Sequence, residues 1–352
     1  MLLLDRSSPI VRYKSTLSEG TAMLKDTISG FELYQPSDLD NVLALLDRFG
    51  GKSWILAGGY DSLDWFKNRG KSPEVIIDIA GVRELAGVRE SDGVLEIGAM
   101  TTLTEIERNP LIKKKFGVLA NAASKVASPQ IRNAATLGGN LCQDTRCWYY
   151  RYGLNCYRAE GNTCYASGPD ALNREHALFG ANRCMAVTPS DTAPALVVLD
   201  AEMVVMNREG ERIIAAEDFF MDPSVDLTRM TVMEPGDLLT TIRIPNDWAE
   251  KSFYFEKVTD RNSWDFALVN IAGVFDAEEG IINDLRMACG GVQCVPRRLR
   301  TVEDVMRGNS NGEQSRNQAA EVSVSEAQAL NKNHFKIPLM KNLVRRALRN
   351  AG

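Results

Sequence analysis

The chain has 352 residues, of which 44% are apolar and 25% are charged, and its formal net charge is -5. This composition is typical of a soluble globular protein, and the length exceeds what one hydrophobic core usually serves, so we expect two domains. The acidic balance and the lack of a long basic run exclude a nucleic-acid-binding protein that relies on phosphate contacts. No apolar run reaches the ~18 residues of a membrane span. We therefore expect a cytoplasmic protein, or a periplasmic one exported with a partner that carries the signal.

The first half of the chain alternates between strand and helix signals. Residues 1–30 have no clear pattern, and we expect an arm that wraps a partner. A helix with one buried face is predicted from Leu39 to Phe49, with Ser37 as N-cap and Asp40 in the capping-box position. Residues 101–127 are predicted to be mostly helical with a break at Pro110. Apolar runs predict strands at residues 31–36, 53–59, 74–80 and 94–100.

Strand signals return after a long segment at residues 142–188. The later strands are predicted at residues 195–207, 211–220, 238–245, 253–258, 266–275 and 282–292. Helices are predicted near residues 301–306 and 339–351, and the polar stretch 308–333 has no clear assignment. Because strands and helices mix without strict alternation, the fold class is predicted to be α+β.

The segment at 142–188 contains an unusual concentration of cysteines. A compact domain rarely contains so long a connection unless something holds it or it carries function, and gathered thiolates indicate a metal. Structural zinc sites usually contain C-x2-4-C pairs, whereas the gaps here are eight, seven and nineteen residues long. Such spread thiolates favour an iron–sulfur cluster. The predicted ligands are Cys147, Cys156, Cys164 and Cys184.

The other metal-binding side chains have plainer interpretations. Cys142, Cys289 and Cys294 are expected to be buried and unligated. His176 lies in the nineteen-residue gap, where we expect it to be hydrogen-bonded or solvent-facing; replacement of a cysteine ligand is the less favoured alternative. A non-catalytic scaffold held by zinc, with the glycine turns as plain turns, remains an alternative of another class.

Two glycine pairs, at residues 57–61 and 136–140, predict anion-binding turns. Glycine lets the backbone approach an anion, and successive amides can form a nest for phosphate oxygens. The GKS tripeptides at residues 51–53 and 70–72 lack the upstream glycine of a P-loop, and no G-x-G-x-x-G follows a strand. Neither histidine fits a hydrolase pattern, so we predict no catalytic residue on this chain.

Five motifs carry a family resemblance: AGGYD (57–61), ASPQIRNAATLGGN (127–140), PSDTAPAL (189–196), LLTTIRIP (238–245) and EKV…DFALVNIA (256–272). From about Phe31 the chain resembles the FAD-binding medium subunit of the xanthine oxidase (molybdenum hydroxylase) family. The cysteine segment resembles an insertion that holds a 4Fe-4S cluster in the periplasmic aldehyde oxidoreductase and 4-hydroxybenzoyl-CoA reductase types.

The resemblance implies a domain organisation and a cofactor site. A two-subdomain, PCMH-like FAD-binding domain would span residues 31–246, with the insertion at about 142–188. An α+β domain with a three-stranded antiparallel sheet and helices would follow at 250–352. Residues matching the family's FAD site are Ala57, Gly58, Gly59, Tyr60, Asp61 and Ser62 around the pyrophosphate, Thr136, Gly138, Gly139 and Asn140 at the second phosphate and flavin side, Asp191 hydrogen-bonded to the cofactor, Lys257 reaching toward the isoalloxazine, and Val126 where some relatives place an aromatic residue.

The resemblance further implies an electron-transferring oxidoreductase subunit of a heterotrimer. Its partners would be a large molybdenum-cofactor subunit, a small 2Fe-2S subunit and an external electron acceptor or donor. The implied substrates are aldehydes first, then aromatic or N-heterocyclic compounds. Two redox alternatives stay open: a 4-hydroxybenzoyl-CoA reductase-like subunit that passes electrons inward to molybdenum, and a stand-alone flavin oxidase.

Overall fold

The computed structural model describes residues 11–14, for their backbone alone, and residues 28–351. The arm expected at residues 1–30 therefore lies almost wholly outside the described part of the chain. In that part the structure contains three β-sheets, and each is formed by strands that are consecutive along the chain. No helix among the described residues is long and apolar enough to cross a membrane.

The first sheet contains four strands in the order β1-β2-β4-β3. The strands are β1 (Val11–Lys14), β2 (Glu32–Gln35), β3 (Ser53–Leu56) and β4 (Val75–Asp78), and β2, β4 and β3 are parallel. Helices α1 (Leu39–Phe49) and α2 (Tyr60–Lys67) connect the parallel strands. The N-cap of α1 is Asp38, whose carboxylate accepts from the Asn41 amide at 3.0 Å, so the expected cap at Ser37 is wrong by one residue.

The second sheet is antiparallel, with five strands in the order β5-β6-β9-β7-β8. The strands are β5 (Val88–Ser91), β6 (Val94–Gly98), β7 (Glu202–Asn207), β8 (Gly210–Ala215) and β9 (Leu238–Pro245). The helices between β6 and β7 are α3 (Leu103–Arg108), α4 (Pro110–Lys115), α5 (Gly117–Ser124), α6 (Pro129–Arg132), α7 (Leu137–Cys142), α8 (Trp148–Arg151) and α9 (Thr192–Val198). This long excursion contains the second glycine turn and all four predicted cysteine ligands.

Helix α9 contradicts the strand predicted to begin at residue 195. Every residue of α9 is buried, and the strand starts only at Glu202. An apolar run that is buried on all sides has no periodicity to distinguish helix from strand. The break predicted at Pro110 is confirmed, since this proline is the first residue of α4.

The third sheet begins after residues 246–251, which contain the expected domain boundary. Its three long antiparallel strands are β10 (Ser252–Val258), β11 (Val269–Glu278) and β12 (Ile281–Gly290), and two short strands, β13 (Arg297–Arg298) and β14 (Asn309–Ser310), pair with β12. Helices α10 (Arg300–Met306), α11 (Glu313–Val322) and α12 (Lys336–Arg349) follow. Helix α11 occupies part of the stretch that the sequence left unassigned. The predicted α+β class and the small antiparallel C-terminal sheet are confirmed.

Candidate cofactor site

The first glycine turn, between β3 and α2, presents free backbone amides. Gly59 has φ +83°, a left-handed conformation that glycine adopts without strain. The backbone N–H groups of residues 58–62 have no acceptor among the described residues. Successive free amides at a helix N-terminus form a site for a phosphate oxygen. The turn therefore fits the FAD pyrophosphate, and the exposed side chain of Tyr60 lies beside it.

The side chains that end this turn are engaged within the protein. The Asp61 carboxylate is 2.5 Å from Nη2 of Arg151 and 3.3 Å from Nη2 of Arg146. The Ser62 hydroxyl accepts from Nε1 of Trp54 at 2.8 Å. Asp61 and Ser62 thus offer a cofactor their amides, while their side chains hold the surrounding structure.

The second glycine turn differs from the first, because its amides already have acceptors. Gly138 N donates to Ala99 O at 2.8 Å, Gly139 N to the Thr136 hydroxyl at 3.1 Å, and Asn140 N to Thr136 O at 2.9 Å. A Cβ added to Gly138 would lie 2.8 Å from the Cβ of Ala99, so this glycine permits close packing. The amide nest expected here is absent.

The two turns nevertheless pack against each other. A Cβ added to Gly58 would lie 2.3 Å from the carbonyl oxygen of Ala134, just before the second turn. A Cβ added to Gly139 would lie 3.9 Å from the Cβ of Ala57. The second turn therefore supplies a close wall beside the amides of the first.

Asn140 links the second turn to the loop before α9. Its Oδ1 accepts from the hydroxyls of Ser190 and Thr192, both at 2.7 Å. Its Nδ2 has no partner among the described residues, so this amide has hydrogens left for a ligand. The predicted cofactor residues Asn140 and Asp191 are thus brought together by adjacent hydrogen bonds.

Asp191 and Lys257 form a buried ion pair. Nζ of Lys257 donates to Asp191 Oδ2 at 2.6 Å, to Asp265 O at 2.7 Å and to Lys125 O at 3.0 Å, which uses all three of its hydrogens. Asn270 Nδ2 donates to the other oxygen of Asp191 at 2.8 Å. Burial raises the pKa of Asp191, and the ammonium of Lys257 opposes that rise. In this arrangement Lys257 fixes Asp191 and has no hydrogen free for a flavin.

A cavity of about 660 Å³, with the solvent at its mouth included, opens beside this pair. Among the residues that line it are Arg146, Cys147, His176, Asp191, Phe266 and Asn270. Val126 is not among them: its side chain is buried in the apolar core, so it presents no face for stacking. Of the predicted cofactor residues, Asp191 is the one that lines this space.

The four predicted cysteine ligands line one smaller cavity, of about 320 Å³ with the solvent at its mouth included. All seven cysteines are free, so no disulfide competes for them. Burial is the main cause that raises the pKa of Cys147 to about 12, and the charges of the other three cysteines act in the same direction. Within residues 28–351, no group of three or more His, Cys, Asp or Glu side chains is gathered closely enough for a metal ion. The sulfurs surround a space instead of converging on one point.

The remaining cysteines behave differently from one another. Cys289 and Cys294 are buried, as expected. Cys142 is exposed, with its sulfur 3.7 Å from the sulfur of Met233, so the expected burial is wrong. Cys142 ends the short helix α7, whose buried residues include Leu137 and Leu141, and the next position turns outward.

His176 is buried against a predicted ligand. Its Nε2 lies 3.3 Å from the sulfur of Cys147, and its Nδ1 has no partner among the described residues. Burial lowers the pKa of His176 to about 4. The histidine is therefore hydrogen-bonded, which was the favoured expectation.

The sequence analysis did not identify two buried arginines of the site. Arg151 bridges Asp61 and Asp64, and Arg158 pairs with Asp144 at 3.0 Å beside the cysteine cavity. Arg151 and Asp61 are 90 positions apart, so no local spacing indicates their contact.

Comparison with known proteins identifies the family. Residues 29–247 match the family described as FAD binding domain in molybdopterin dehydrogenase. The chain belongs to this family. Residues 254–351 match a second one, the CO dehydrogenase flavoprotein C-terminal domain. The predicted FAD-binding subunit of the molybdenum hydroxylase family, an oxidoreductase flavoprotein, is thereby confirmed.

Several molybdenum hydroxylase flavoproteins are similar along most of their length. The aldehyde oxidoreductase FAD-binding subunit PaoB of Escherichia coli is 34% identical over 71% of this chain and 77% of its own. The carbon monoxide dehydrogenase medium chain of Hydrogenophaga pseudoflava is 27% identical over 77% of each chain. A solved carbon monoxide dehydrogenase from the same organism superposes with a TM-score of 0.74 at 25% identity, covering 92% of this chain and 98% of that one.

Proposed function

We propose that this chain is the electron-transferring subunit of a molybdenum hydroxylase complex and holds both FAD and a 4Fe-4S cluster. The observation that carries the proposal is the single cavity lined by Cys147, Cys156, Cys164 and Cys184. Four thiolates spread around a space suit the wider cage of an iron–sulfur cluster better than a zinc ion. The two proposed cofactor sites adjoin, because Cys147 lines both this cavity and the larger one, which Asp191 also lines.

The residues of this chain would bind the cofactors and control their surroundings. The free amides of residues 58–62 would hold the pyrophosphate, and Asn140 has amide hydrogens for the same ligand. Lys257 keeps Asp191 oriented at the larger cavity. Bound FAD supplies redox chemistry that accepts electrons in pairs and releases them singly, and the protein supplies binding, orientation and electrostatics.

Similarity to the aldehyde oxidoreductase subunit PaoB supports aldehydes as the substrate class. We propose aromatic or N-heterocyclic compounds as the next candidates, with water as the oxygen source. A large molybdenum subunit would carry that chemistry, and a small 2Fe-2S subunit would connect it to this flavoprotein. We place the heterotrimer in the cytoplasm, or in the periplasm by export with a signal-bearing partner. Fractionation of cells that express the complex tests this placement.

Cofactor analysis of the purified complex tests the proposal. We expect one FAD and four irons with matching acid-labile sulfide per flavoprotein chain, beyond the iron of the small subunit. Reduction should produce the electron paramagnetic resonance signal of a 4Fe-4S cluster beside those of the 2Fe-2S centres. A flavoprotein that contains one zinc and no iron would establish the zinc-held scaffold instead.

The direction of electron flow needs a second measurement. Midpoint potentials of flavin and cluster would be compared in the same complex, because hydrogen bonds and burial tune such clusters over a wide range. A cluster that lies well below the flavin in potential favours entry of electrons at the cluster and flow toward molybdenum. Full aldehyde turnover by the isolated chain would instead establish a stand-alone flavin oxidase.

A further inference from the structure

His176 is a buried polar side chain in contact with a predicted cluster ligand, and the proposed ligand set leaves it unexplained. It lies in the gap between Cys164 and Cys184, is only 4% exposed, and its Nε2 is 3.3 Å from the sulfur of Cys147. The other ring nitrogen, Nδ1, has no partner among the described residues. The contact with sulfur is therefore the only polar contact that the described structure gives this imidazole.

The chemistry of the two atoms determines which one carries the proton. A ligand sulfur has lone pairs and no hydrogen, so it can only accept. A histidine nitrogen at 3.3 Å from it forms a hydrogen bond only when that nitrogen is protonated. With Cys147 as a cluster ligand, Nε2 is thus the nitrogen that would carry the proton and donate to the sulfur of Cys147.

Buried groups from the C-terminal region hold His176 in place. Its carbonyl oxygen accepts from Nδ2 of Asn333 at 3.0 Å and from Nζ of Lys336 at 3.1 Å, and both residues are fully buried. The ring of Tyr149 is a neighbour of the imidazole, with ring centroids 6.3 Å apart. With its main chain anchored this way, the imidazole is fixed against the cysteine.

We propose that His176 is a positioning residue that raises the reduction potential of the cluster through an Nε2–H···Sγ hydrogen bond to Cys147. This inference rests on the proposed function. Reduction adds one electron to the cluster, breaks no bond and increases the negative charge on its sulfurs, so a donor aimed at a ligand sulfur stabilises the reduced form more than the oxidised form.

The hydrogen bond between His176 and Cys147 lies where the two proposed cofactor sites meet. Cys147 lines both cavities, whereas His176 lines the larger one, where Asp191 also lies. The hydrogen bond therefore lies on the side of Cys147 that borders the larger cavity. Its loss would shift the distribution of electrons between cluster and flavin toward the flavin.

Redox titration of the whole complex tests the role of His176. In His176→Leu, iron per chain should stay unchanged, the midpoint of the 4Fe-4S cluster should become more negative, and the flavin midpoint should stay in place. His176→Gln retains an N–H donor and should recover part of the shift. The chain's only other histidine, His334, is exposed, and His334→Gln is the matched control with no shift.

A wild-type measurement keeps the test independent of how the variants fold. With ¹⁵N-labelled histidine, pulsed electron paramagnetic resonance on the reduced 4Fe-4S signal should detect one weakly coupled nitrogen. A strongly coupled nitrogen would make His176 a ligand, and no coupling would remove the hydrogen bond; either overturns the inference. An unchanged midpoint in an iron-replete His176→Leu complex overturns it too. Absence of iron from the wild-type chain would instead refute the proposed function.

Discussion

Cys164 is the residue whose replacement should separate the two cofactor sites most cleanly. It lines the cysteine cavity and belongs to neither glycine turn. We expect Cys164→Ser to lose the cluster, because a hydroxyl replaces one of four thiolate ligands, and to keep FAD near one per chain. Iron and flavin analysis of the purified complex measures both.

Cys142→Ser is the matched control for that substitution. Cys142 is exposed and does not line the cavity, so this variant should keep both cofactors. Four irons per chain in Cys164→Ser would contradict the ligand assignment. Iron loss in both variants would indicate general damage to the segment.

The functional residues that could be predicted are those whose reactive side chains lie close together in the sequence. Four cysteines in one unpatterned segment indicate a shared site without knowledge of the fold. The partners of Asp191 and Asp61 were not predictable, because Lys257 is 66 positions from the first and Arg151 is 90 from the second. Lys257 in particular was expected to reach a flavin, whereas the fold uses all three of its hydrogens internally.

At the scale of elements, helix α2 anchors the cysteine segment to the first glycine turn. Asp61 and Asp64, one turn apart on α2, both pair with Arg146 and Arg151. The guanidinium of Arg151 is buried and lies 3.8 Å from the ring centroid of Trp65. The element whose amides would hold the pyrophosphate thus also fixes the start of the cysteine segment.

Removal of the more buried carboxylate should loosen that segment. In Asp61→Ala, Arg151 loses a charge-assisted hydrogen bond worth about 1.5–3 kcal/mol. Hydrogen exchange of the amides at residues 144–158 should therefore become faster by one to two orders of magnitude, as roughly follows from 1.4 kcal/mol per tenfold change.

Asp64→Ala provides the comparison on the same helix. The Asp64 carboxylate is 43% exposed against 19% for Asp61, so its loss should have the smaller effect. Equal exchange rates in wild type and Asp61→Ala would show that the ion pairs do not hold the segment.

Two elements show why sequence patterns were insufficient at this scale. Both turns contain a Gly-Gly pair, yet only the first keeps its amides free. In the second turn, Gly138 N donates to the carbonyl oxygen of Ala99, which lies in another part of the chain. Helix α9 is buried on every side, so its apolar run has no helical periodicity and was predicted to be a strand. Strand β9, in which buried and half-buried residues alternate from Thr240 to Pro245, was predicted at its observed bounds.

At the scale of the whole molecule, the C-terminal region closes over the cysteine segment. Asn333 donates to the carbonyls of His176 and Ala177, both at 3.0 Å. Nζ of Lys336, at the start of α12, donates to His176 O at 3.1 Å and Gly291 O at 2.7 Å, with no carboxylate within ion-pair distance among the described residues. The C-terminal region therefore contributes to the environment of the proposed cluster site.

Lys336 should make the stability of this junction depend on pH. Burial lowers its pKa from 10.5 to about 7; Glu175 opposes the shift and Arg174 adds to it. Between these values the unfolded chain binds the proton and the folded chain does not, so this lysine makes the free energy of unfolding rise with pH from about 7 to about 10.5. Below pH 7 both states are protonated, and its contribution is flat and at its minimum. The neutral amine keeps two N–H groups for the two carbonyls.

Lys336→Met should remove this dependence. The urea midpoints of wild type and variant would be measured at pH 7, 8.5 and 10. They should diverge as pH increases, because the wild type becomes more stable relative to Lys336→Met. Lys341→Met on the same helix removes a lysine whose partner is the exposed Glu321, and its curve should run parallel to wild type. A constant difference between wild type and Lys336→Met would mean that Lys336 stays charged in the folded chain, and that the carbonyls of His176 and Gly291 stabilise an ammonium at the interface between the cysteine segment and α12.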